Sequence, residues 1–385
     1  ELGWISENSI SIINAKQYGE LIYDLFLRRQ LINIGTNLVN HSYTNFENED
    51  SNSIIEKIEL DLFNLANNGE TNKGPKKFDD VLSEALVYAE KAYKKSSDVA
   101  ALKTGLSDFD KKIGGFHKSD LIIIAGRPSM GKTAFATNIG SNITQNKAKK
   151  DSSPNNVLFF SLEMSSEQLA TRLLSEMSQI SSERIRTGNL SKIDFDKLII
   201  GSEKLKNISL FIDDSPGLTL SAIRSRSRRL MRRNGLDLII IDYLQLINGE
   251  GKNFNDNRVK EISDITRGLK AIAKEFNIPV VALSQLSRKV EDREEKRPQL
   301  ADLRESGSIE QDADLVVFLY REEYYLARTE PPEGTEKHAI WTNKMEKIHN
   351  VAEAIVAKNR HGPISRIRLH FNASNTKFSD LAETS

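Results

Sequence analysis

The sequence predicts an α/β protein built on a mostly parallel β-sheet. From residue 104 onward, apolar runs of strand length alternate with stretches of helical periodicity, which is the pattern of strand–helix–strand units. In addition, an octet that fits G-x-x-x-x-G-K-[ST] lies at residues 126–133, between an apolar run at 121–125 and a helical stretch at 134–140. A strand, a loop and a helix in this order form the structural context in which such an octet binds phosphate.

Helical segments are predicted ahead of the α/β region. Residues 8–40 carry apolar side chains at i, i+4 spacing, residues 51–67 do the same, and the two are predicted to form a small helical hairpin. The stretch 71–77 contains glycine, proline and polar residues and is predicted to be a linker. Residues 78–93 then have the periodicity of one amphipathic helix.

Seven apolar runs are predicted to form the strands of the sheet. They span residues 121–125, 157–162, 209–213, 237–242, 279–284, 315–320 and 352–357. The polar segment 145–156 is expected to be a surface loop. The turn residues at 361–363 and the strand-like run at 366–371 predict a β-hairpin at the edge of the sheet.

Composition excludes several classes of protein. The 385 residues are enough for two domains, or for one large domain with appendages. The formal net charge is zero, so any nucleic-acid site has to be a local patch. The chain has no cysteine, which excludes disulfides and thiolate metal sites and fits a reducing cytoplasm. No apolar run reaches the roughly 18 residues of a transmembrane helix. The chain begins without Met, and we expect a processed or shortened form.

The octet is predicted to bind a nucleoside triphosphate. Gly126 and Gly131 are expected to adopt positive φ, so that consecutive N–H groups face the phosphates at the start of the next helix. Lys132 is expected to contact the β- and γ-phosphates, and the Thr133 hydroxyl to bind Mg²⁺. The predicted nucleotide-binding residues are Gly126, Arg127, Pro128, Ser129, Met130, Gly131, Lys132, Thr133 and Ala134.

Three further strands end in a polar side chain. Asp242 follows an apolar strand and is predicted to support the magnesium ion, as a Walker B aspartate does; the alternative is a turn aspartate. Glu163 is predicted to activate the attacking water; the alternative is a helix N-terminal charge. Gln285 is predicted to sense the γ-phosphate, whereas alone it would be taken for a surface glutamine.

Three other features carry positive charge. The polar segment 297–314 is either an ordinary loop or a phosphodiester site, in which Arg304 and the backbone near Gly307 would hold DNA. Six arginines between residues 224 and 233 are either a solvated or subunit-contacting helix face or a DNA contact. Lys358 and Arg360 end a late strand, where a cation can complete the chain's own site or reach a neighbour's triphosphate as an arginine finger.

Taken together, these motifs resemble the DnaB-type bacterial replicative helicases. The octet is followed, in family order, by the runs FFSLEMS, IIDYLQL, SQLSR and DLRESGSIEQDAD, and the resemblance covers about residues 71–380. It implies a RecA-like motor domain in a homo-hexameric ring around single-stranded DNA. It also implies ATP and Mg²⁺ as cofactors, primase and a helicase loader as partners, and a place in the bacterial cytoplasm at replication forks.

The resemblance also implies roles for single residues. Lys132 and Thr133 hold the triphosphate and Mg²⁺, Glu163 activates water, Asp242 supports the metal, and Gln285 senses the γ-phosphate. Lys358 and Arg360 match the pair that enters the next subunit's site. Arg304, Glu305 and Gly307 fall where the family grips the DNA backbone.

The implied organisation has three parts. Residues 1–70 resemble the end of the family's helical collar, residues 71–103 hold a linker helix that docks on a neighbouring motor domain, and residues 104–385 form the motor. Most of the collar is expected to be missing, which affects ring stability and primase docking. Two rival classes share the site: a RecA-type recombinase or circadian-clock-type ATPase, which would lack the RESGSIEQ run, and an ATP-gated assembly or loading factor that does not unwind DNA.

Overall fold

The computed structural model describes residues 12–44, 77–93, 101–145, 154–249, 258–303 and 307–381, together with scattered helical positions between 51 and 65. By its internal contacts the chain divides into two units, residues 1–86 and 87–385. In its described part the first unit is helical, and the second unit contains the sheet.

The described helices of the N-terminal region agree with the sequence prediction. Helix α1 spans Ile12–Thr44 and helix α2 spans Phe78–Tyr93, which confirms the helices predicted at 8–40 and 78–93. The predicted hairpin with 51–67 lies largely outside the described residues and stays a prediction. Among the helices in the described ranges, none is both long enough and apolar enough to cross a membrane.

Ten helices of the described chain follow α2. They are α3 (Ser107–Ile113), α4 (Lys132–Gln145), α5 (Ser166–Ser178), α6 (Ser182–Thr187), α7 (Lys192–Leu205), α8 (Leu220–Asn234), α9 (Arg258–Phe276), α10 (Gly307–Asp312), α11 (Glu322–Leu326) and α12 (Glu336–Ile348). Several begin at a capping residue; Ser165, for example, accepts a hydrogen bond from the Gln168 N–H in a reciprocal capping box.

Nine strands form one sheet in the described part of the chain. They are β1 (Leu121–Gly126), β2 (Val157–Ser161), β3 (Leu210–Asp213), β4 (Leu238–Asp242), β5 (Val280–Gln285), β6 (Leu315–Tyr320), β7 (Val351–Asn359), β8 (Ser365–Asn372) and β9 (Lys377–Asp380). All seven predicted strands occur within two residues of their predicted bounds.

The order across the sheet is β3-β2-β4-β5-β1-β6-β7-β8-β9. The first six strands in this order are parallel, and β7, β8 and β9 are antiparallel. This arrangement confirms the predicted α/β fold class with a mostly parallel sheet. The predicted hairpin of β7 and β8 also forms, but it is not the edge of the sheet, because the unpredicted strand β9 pairs with β8.

The central strands are covered on both faces. Strands β1, β2, β4 and β6 are buried along their whole length, as expected of parallel strands between two layers of helices. On one face the Phe135 ring of α4 meets the rings of Phe109 and Phe378 edge-on. The backbone N–H of Phe378 also donates to Asn138 Oδ1 at 2.6 Å. Strand β9 is thereby attached to the helix that follows the octet.

Candidate nucleotide-binding site

The parallel register brings the C-terminal ends of the predicted strands to the same end of the sheet. Gly126 at the end of β1 is paired with Gln285 at the end of β5, and Ser161 at the end of β2 is paired with Asp242 at the end of β4. A cavity of about 360 Å³ lies at this end. Its lining residues are Pro128, Ser129, Gly131, Lys132, Thr133, Ala134, Glu163, Arg172, Tyr243, Gln285, Phe371 and Thr376.

The two glycines of the octet serve different purposes. Gly131 has φ of +90°, as predicted, and a Cβ there would lie 3.0 Å from the Phe378 ring. Gly126 lies outside the positive-φ region, so that prediction is wrong. A side chain at Gly126 is disfavoured by packing instead, since its Cβ would lie in tight contact, 3.1 Å from the carbonyl oxygen of Leu319. Ser129 takes the second left-handed conformation of the loop, at φ 67°.

Lys132, the first residue of α4, is held by the loop itself. Its Nζ donates to the carbonyl of Gly126 at 2.9 Å and to that of Arg127 at 3.4 Å. Burial lowers the pKa of Lys132, and the nearby carboxylates of Asp242 and Glu163 oppose this shift. The ammonium group therefore lies partly buried beside the cavity, and its direct acceptors among the described residues are backbone carbonyls. Phosphate oxygens are stronger acceptors for it.

Asp242 and Thr133 form the part of the site suited to a metal ion. Asp242 is buried, and burial raises its pKa to about 6, although it accepts a hydrogen bond from the Thr133 side chain. Its Oδ2 has no hydrogen-bond partner within the described residues. A buried carboxylate oxygen without a donor, beside a hydroxyl, fits Mg²⁺. No group of three or more His, Asp or Glu side chains that could hold a metal by itself occurs in the described ranges, so a magnesium ion here would draw its other ligands from phosphate and water.

Glu163 and Gln285 both line the cavity. Glu163 is an exposed residue in the bend between β2 and α5. Gln285 is the exposed last residue of β5, and its backbone N–H donates to Gln245 Oε1 at 3.4 Å. The Gln245 amide also donates to Ser284 Oγ at 3.1 Å. Gln245 therefore connects the end of β5 to the turn that follows Asp242.

The sequence prediction missed four residues that line the cavity: Arg172, Tyr243, Phe371 and Thr376. Arg172 lies on α5, and burial lowers its pKa while Asp242 and Glu163 oppose the shift. It thus adds a second, partly buried cation beside Lys132. The prediction could not find Arg172, because its place at the cavity depends on how α5 packs against the helices α4, α6 and α7.

Two residues of the octet direct their side chains away from the cavity. Arg127 donates from Nε to Glu291 at 2.9 Å and from Nη1 to the Leu286 carbonyl at 2.9 Å. Met130 is buried in the core. These two side chains therefore support the loop. At both positions only the backbone is left to make the predicted contact with the nucleotide.

Lys358 and Arg360 lie near the other end of the parallel strands, where β1 begins. Arg360 donates from its backbone N–H to the Asp314 carbonyl, and the Asp314 N–H donates to the carbonyl of Leu121 at the start of β1. Leu121 is five residues before Gly126, which corresponds to about 16 Å along the strand. The alternative in which these cations complete the chain's own site does not fit this geometry. Their role toward a neighbouring subunit stays a prediction.

The predicted DNA contacts are only partly described. Arg304 and Glu305 lie outside the described residues. Gly307 is the exposed first residue of α10, with open space where a Cβ would be. The stretch before the predicted contacts is well anchored, because Arg297 pairs with both Glu322 and Glu353.

Comparison with known proteins decides the family. The family described as the DnaB-like helicase C terminal domain matches residues 101–380. The "Replicative DNA helicase DnaB" of Rickettsia conorii is 50% identical over 377 residues, covering 97% of this chain and 76% of that protein. The protein of the same name from Haemophilus influenzae is 42% identical over 389 residues, covering 99% and 77%. The chain belongs to the DnaB family of replicative DNA helicases.

Solved structures agree with this assignment. One of them, described as an ATPase domain, has a TM-score of 0.68 and 34% identity, covering 80% of this chain and all of that one. A DnaB-like replicative helicase, whose structure was described with its interactions with primase, has a TM-score of 0.71 and 30% identity, covering 98% and 83%. As a DnaB-family member the chain is an ATP-dependent DNA helicase, and the recombinase and clock-ATPase alternatives are excluded.

In this DnaB-family chain the arginine-rich helix α8 is largely paired within the protein. Arg224 and Arg228 both pair with Glu275 of α9, and Arg226 pairs with Asp213. These ion pairs favour the interpretation of α8 as a structural helix face over the alternative of a DNA contact.

Proposed function

We propose that this DnaB-family helicase hydrolyses Mg²⁺-bound ATP at the cavity beside the octet, and that a homo-hexamer uses this energy to translocate along single-stranded DNA and unwind the duplex at a replication fork. The observation that carries the proposal is the parallel register, which places Gly126 beside Gln285 and the end of β2 beside Asp242. The residues to which we assign phosphate binding, water activation and phosphate sensing are Lys132, Glu163 and Gln285, and all three line one cavity. Asp242 accepts a hydrogen bond from Thr133 of the same lining.

The chain's own residues divide the work of binding. Lys132 exchanges its two carbonyl acceptors for oxygens of the β- and γ-phosphates, and the N–H groups at the start of α4 face the same anion. Thr133 and Asp242 hold the metal ion. When bound, Mg²⁺ neutralises charge that develops on the phosphates. Arg172, which lines the same cavity, adds a second positive charge.

Glu163 acts as the base that orients and deprotonates the attacking water. Its position in the bend after β2 puts the side chain at the cavity, and β2 is the neighbour of the strand that ends in Asp242. Gln285 contacts the γ-phosphate and registers its loss. Because the Gln285 N–H donates to Gln245, this change also reaches the turn after β4.

Lys358 and Arg360 act on the site of the adjacent subunit. Their distance from the chain's own octet supports this assignment, since a ring of identical subunits can bring this edge of one motor domain to the cavity of the next. An arginine in that position stabilises the charge of the transferring phosphoryl group and contributes mainly to turnover.

DNA is held by phosphate contacts from Arg304, Glu305 and Gly307. Because the chain has no net charge, affinity for DNA has to come from a few local contacts that are repeated around the ring. Contacts of this kind, to the backbone and not to base edges, bind all sequences alike, as a motor that moves along DNA requires.

Residues 1–70 are the end of the collar domain, 71–103 the linker, and 104–385 the motor. One structural relative was described with its interactions with primase, and we extend that partnership, and docking of a helicase loader, to this protein. Its place of action is the bacterial cytoplasm, on the chromosome at replication forks.

The proposal is tested by the mass of the assembly in solution, measured beside the rate of ATP hydrolysis. With a non-hydrolysable ATP analogue and a single-stranded oligonucleotide, the chain should form a complex of six copies per DNA strand. Single-stranded DNA should also stimulate hydrolysis. A monomer whose hydrolysis ignores DNA would contradict the proposal.

A further inference from the structure

Lys358 and Arg360 are supported by the same short stretch of their own chain. Lys358 Nζ donates to the backbone carbonyl of Glu310 and, at 3.4 Å, to that of Gln311. Arg360 donates from Nη2 to the Gln311 carbonyl at 2.8 Å and from Nη1 to the Asp314 carboxylate at 3.1 Å. Both cations are therefore held at the end of α10.

The end of a helix is a suitable support for cations. The last carbonyls of a helix have no intrahelical donor, and they carry the negative end of the helix dipole. Helix α10 ends at Asp312, so the carbonyls of Glu310 and Gln311 belong to this set. Two side chains from the end of β7 satisfy them, and the position of α10 consequently determines where both cations lie.

Asp314 adds a rigid acceptor to this support. Its side chain is only 4% exposed, and its Oδ2 accepts from the backbone N–H of Leu121 at 2.8 Å and from Lys270 Nζ. The other oxygen accepts from Arg360, whose side chain is 49% exposed. Asp314 is thus fixed to the start of β1 and to α9, and it holds one terminal nitrogen of a guanidinium group that stays half exposed.

We propose that Asp314 and the end of α10 are positioning elements for the cations that enter the neighbouring subunit's site. This inference rests on the proposed function, which assigns Lys358 and Arg360 to that site. Stabilisation of a transition state requires placement of charge to within about an ångström. An unsupported arginine would first have to lose its rotamer freedom. Asp314 supplies the orientation in advance and contacts no nucleotide itself.

Asp314→Asn is the variant that separates positioning from chemistry. The asparagine oxygen is expected to take the position of Oδ2, where it still accepts from the Leu121 N–H and from Lys270. The amide nitrogen then faces Arg360 Nη1, and because both groups are donors, this hydrogen bond is lost. We expect ATP hydrolysis by the assembled full chain to fall at least about fivefold, with the affinity for ATP unchanged. The matched control is Asp120→Asn, which alters a neighbouring buried carboxylate that pairs with His361 at 2.9 Å, and it should keep the wild-type rate.

Mixed assemblies give a readout that a general folding defect does not produce. Asp314→Asn chains mixed with Lys132→Ala chains should recover activity, because some interfaces combine an intact octet with supported cations. Mixed with Arg360→Ala chains they should not, because both variants are defective on the same side of the interface. Equal recovery with both partners, or a wild-type rate for Asp314→Asn alone, overturns the inference.

Two further measurements keep the result decisive. Thr266→Val removes the hydrogen bond at 3.0 Å that anchors Asp312 of α10 to α9, and it should show the same one-sided defect even if Asp314→Asn folds poorly. If Lys132→Ala and Arg360→Ala themselves fail to complement in mixed rings that have been shown to form, the proposed action between subunits fails, and this inference fails with it.

Discussion

Arg127 donates a hydrogen bond from Nη1 to the backbone carbonyl of Leu286 at 2.9 Å. The N–H of Leu286 donates to the carbonyl of Gly126 at 3.4 Å, so the octet contacts both polar groups of the Leu286 backbone. The same guanidinium pairs through Nε with Glu291 at 2.9 Å. The nucleotide loop and the segment that follows Gln285 are therefore joined at three points.

Arg127→Gln should loosen that segment. The shorter neutral side chain loses the hydrogen bond to the Leu286 carbonyl, a kind of charge-assisted bond worth about 1.5–3 kcal/mol in proteins. It also loses the ion pair with the more exposed Glu291, which contributes less because solvent screens it. We expect the backbone amides of residues 286–292 to exchange hydrogen roughly tenfold faster or more, measured by mass spectrometry without nucleotide. Arg224→Gln on α8, which removes the ion pair with Glu275 of α9, is the control and should leave these amides unchanged. Unchanged exchange in Arg127→Gln would show that the contacts do not order the segment.

Glu163→Gln should separate binding from hydrolysis. The substitution keeps the shape of the side chain and removes the charge that activates water, an effect that typically costs about 10²- to 10⁴-fold in rate. ATP affinity should stay within a few-fold of the wild type, whereas Lys132→Ala should impair binding as well. Steady-state hydrolysis and equilibrium binding of a fluorescent ATP analogue measure the two effects. Glu167→Gln, in the first turn of α5, is the control, and normal turnover by Glu163→Gln would mean that the base is another group.

Arg304→Ala should weaken binding of single-stranded DNA for all sequences alike. The salt dependence of log K should become shallower by about 0.7 for each lost phosphate contact per bound subunit. Basal hydrolysis should survive, while its stimulation by DNA should fall. Mixed-sequence oligonucleotides titrated across a salt series with a non-hydrolysable nucleotide provide the measurement. Arg233→Ala on α8 is the comparison: an effect there, with none at Arg304, would move the DNA site to that helix.

Glu176→Gln should change how stability depends on pH. Glu176 is buried, accepts from Asn138 at 2.7 Å, and burial raises its pKa above the ordinary value of 4.5. A carboxyl whose pKa is raised by folding stabilises the native state fully below that ordinary value, and this contribution is lost as pH rises through the folded pKa. The variant should therefore gain in melting temperature relative to the wild type as pH rises from about 4.5 to 7.5. Glu203→Gln, an exposed position of α7, should show no such trend, and a parallel pH profile for Glu176→Gln would refute the burial effect.

The strand ends of the site could be predicted from the sequence because each depends on local pattern. A buried apolar run followed by a polar residue identified Glu163, Asp242 and Gln285, and the octet identified the loop. The C-terminal ends of parallel strands lie at the same end of a sheet, whatever the order of the strands across it. That these residues lie close together could therefore be predicted without knowing the topology.

The remaining features depend on tertiary packing. Arg172 and Thr376 reach the cavity only because α5 and the turn between β8 and β9 pack where they do. Strand β9 has four residues, too few for a recognisable period of two. At Gly126, the absence of a side chain is explained by the neighbouring Leu319 carbonyl on β6, a contact that no local pattern encodes.

The most direct test of helicase activity is strand displacement by the full chain on a forked duplex with a single-stranded tail on each strand. We expect displacement that requires hydrolysable ATP, disappears in Lys132→Ala and is lost in Glu163→Gln even though ATP still binds. Hydrolysis that DNA stimulates, without displacement at any ratio of protein to fork, would contradict this expectation and identify the chain as an ATP-gated assembly or loading factor.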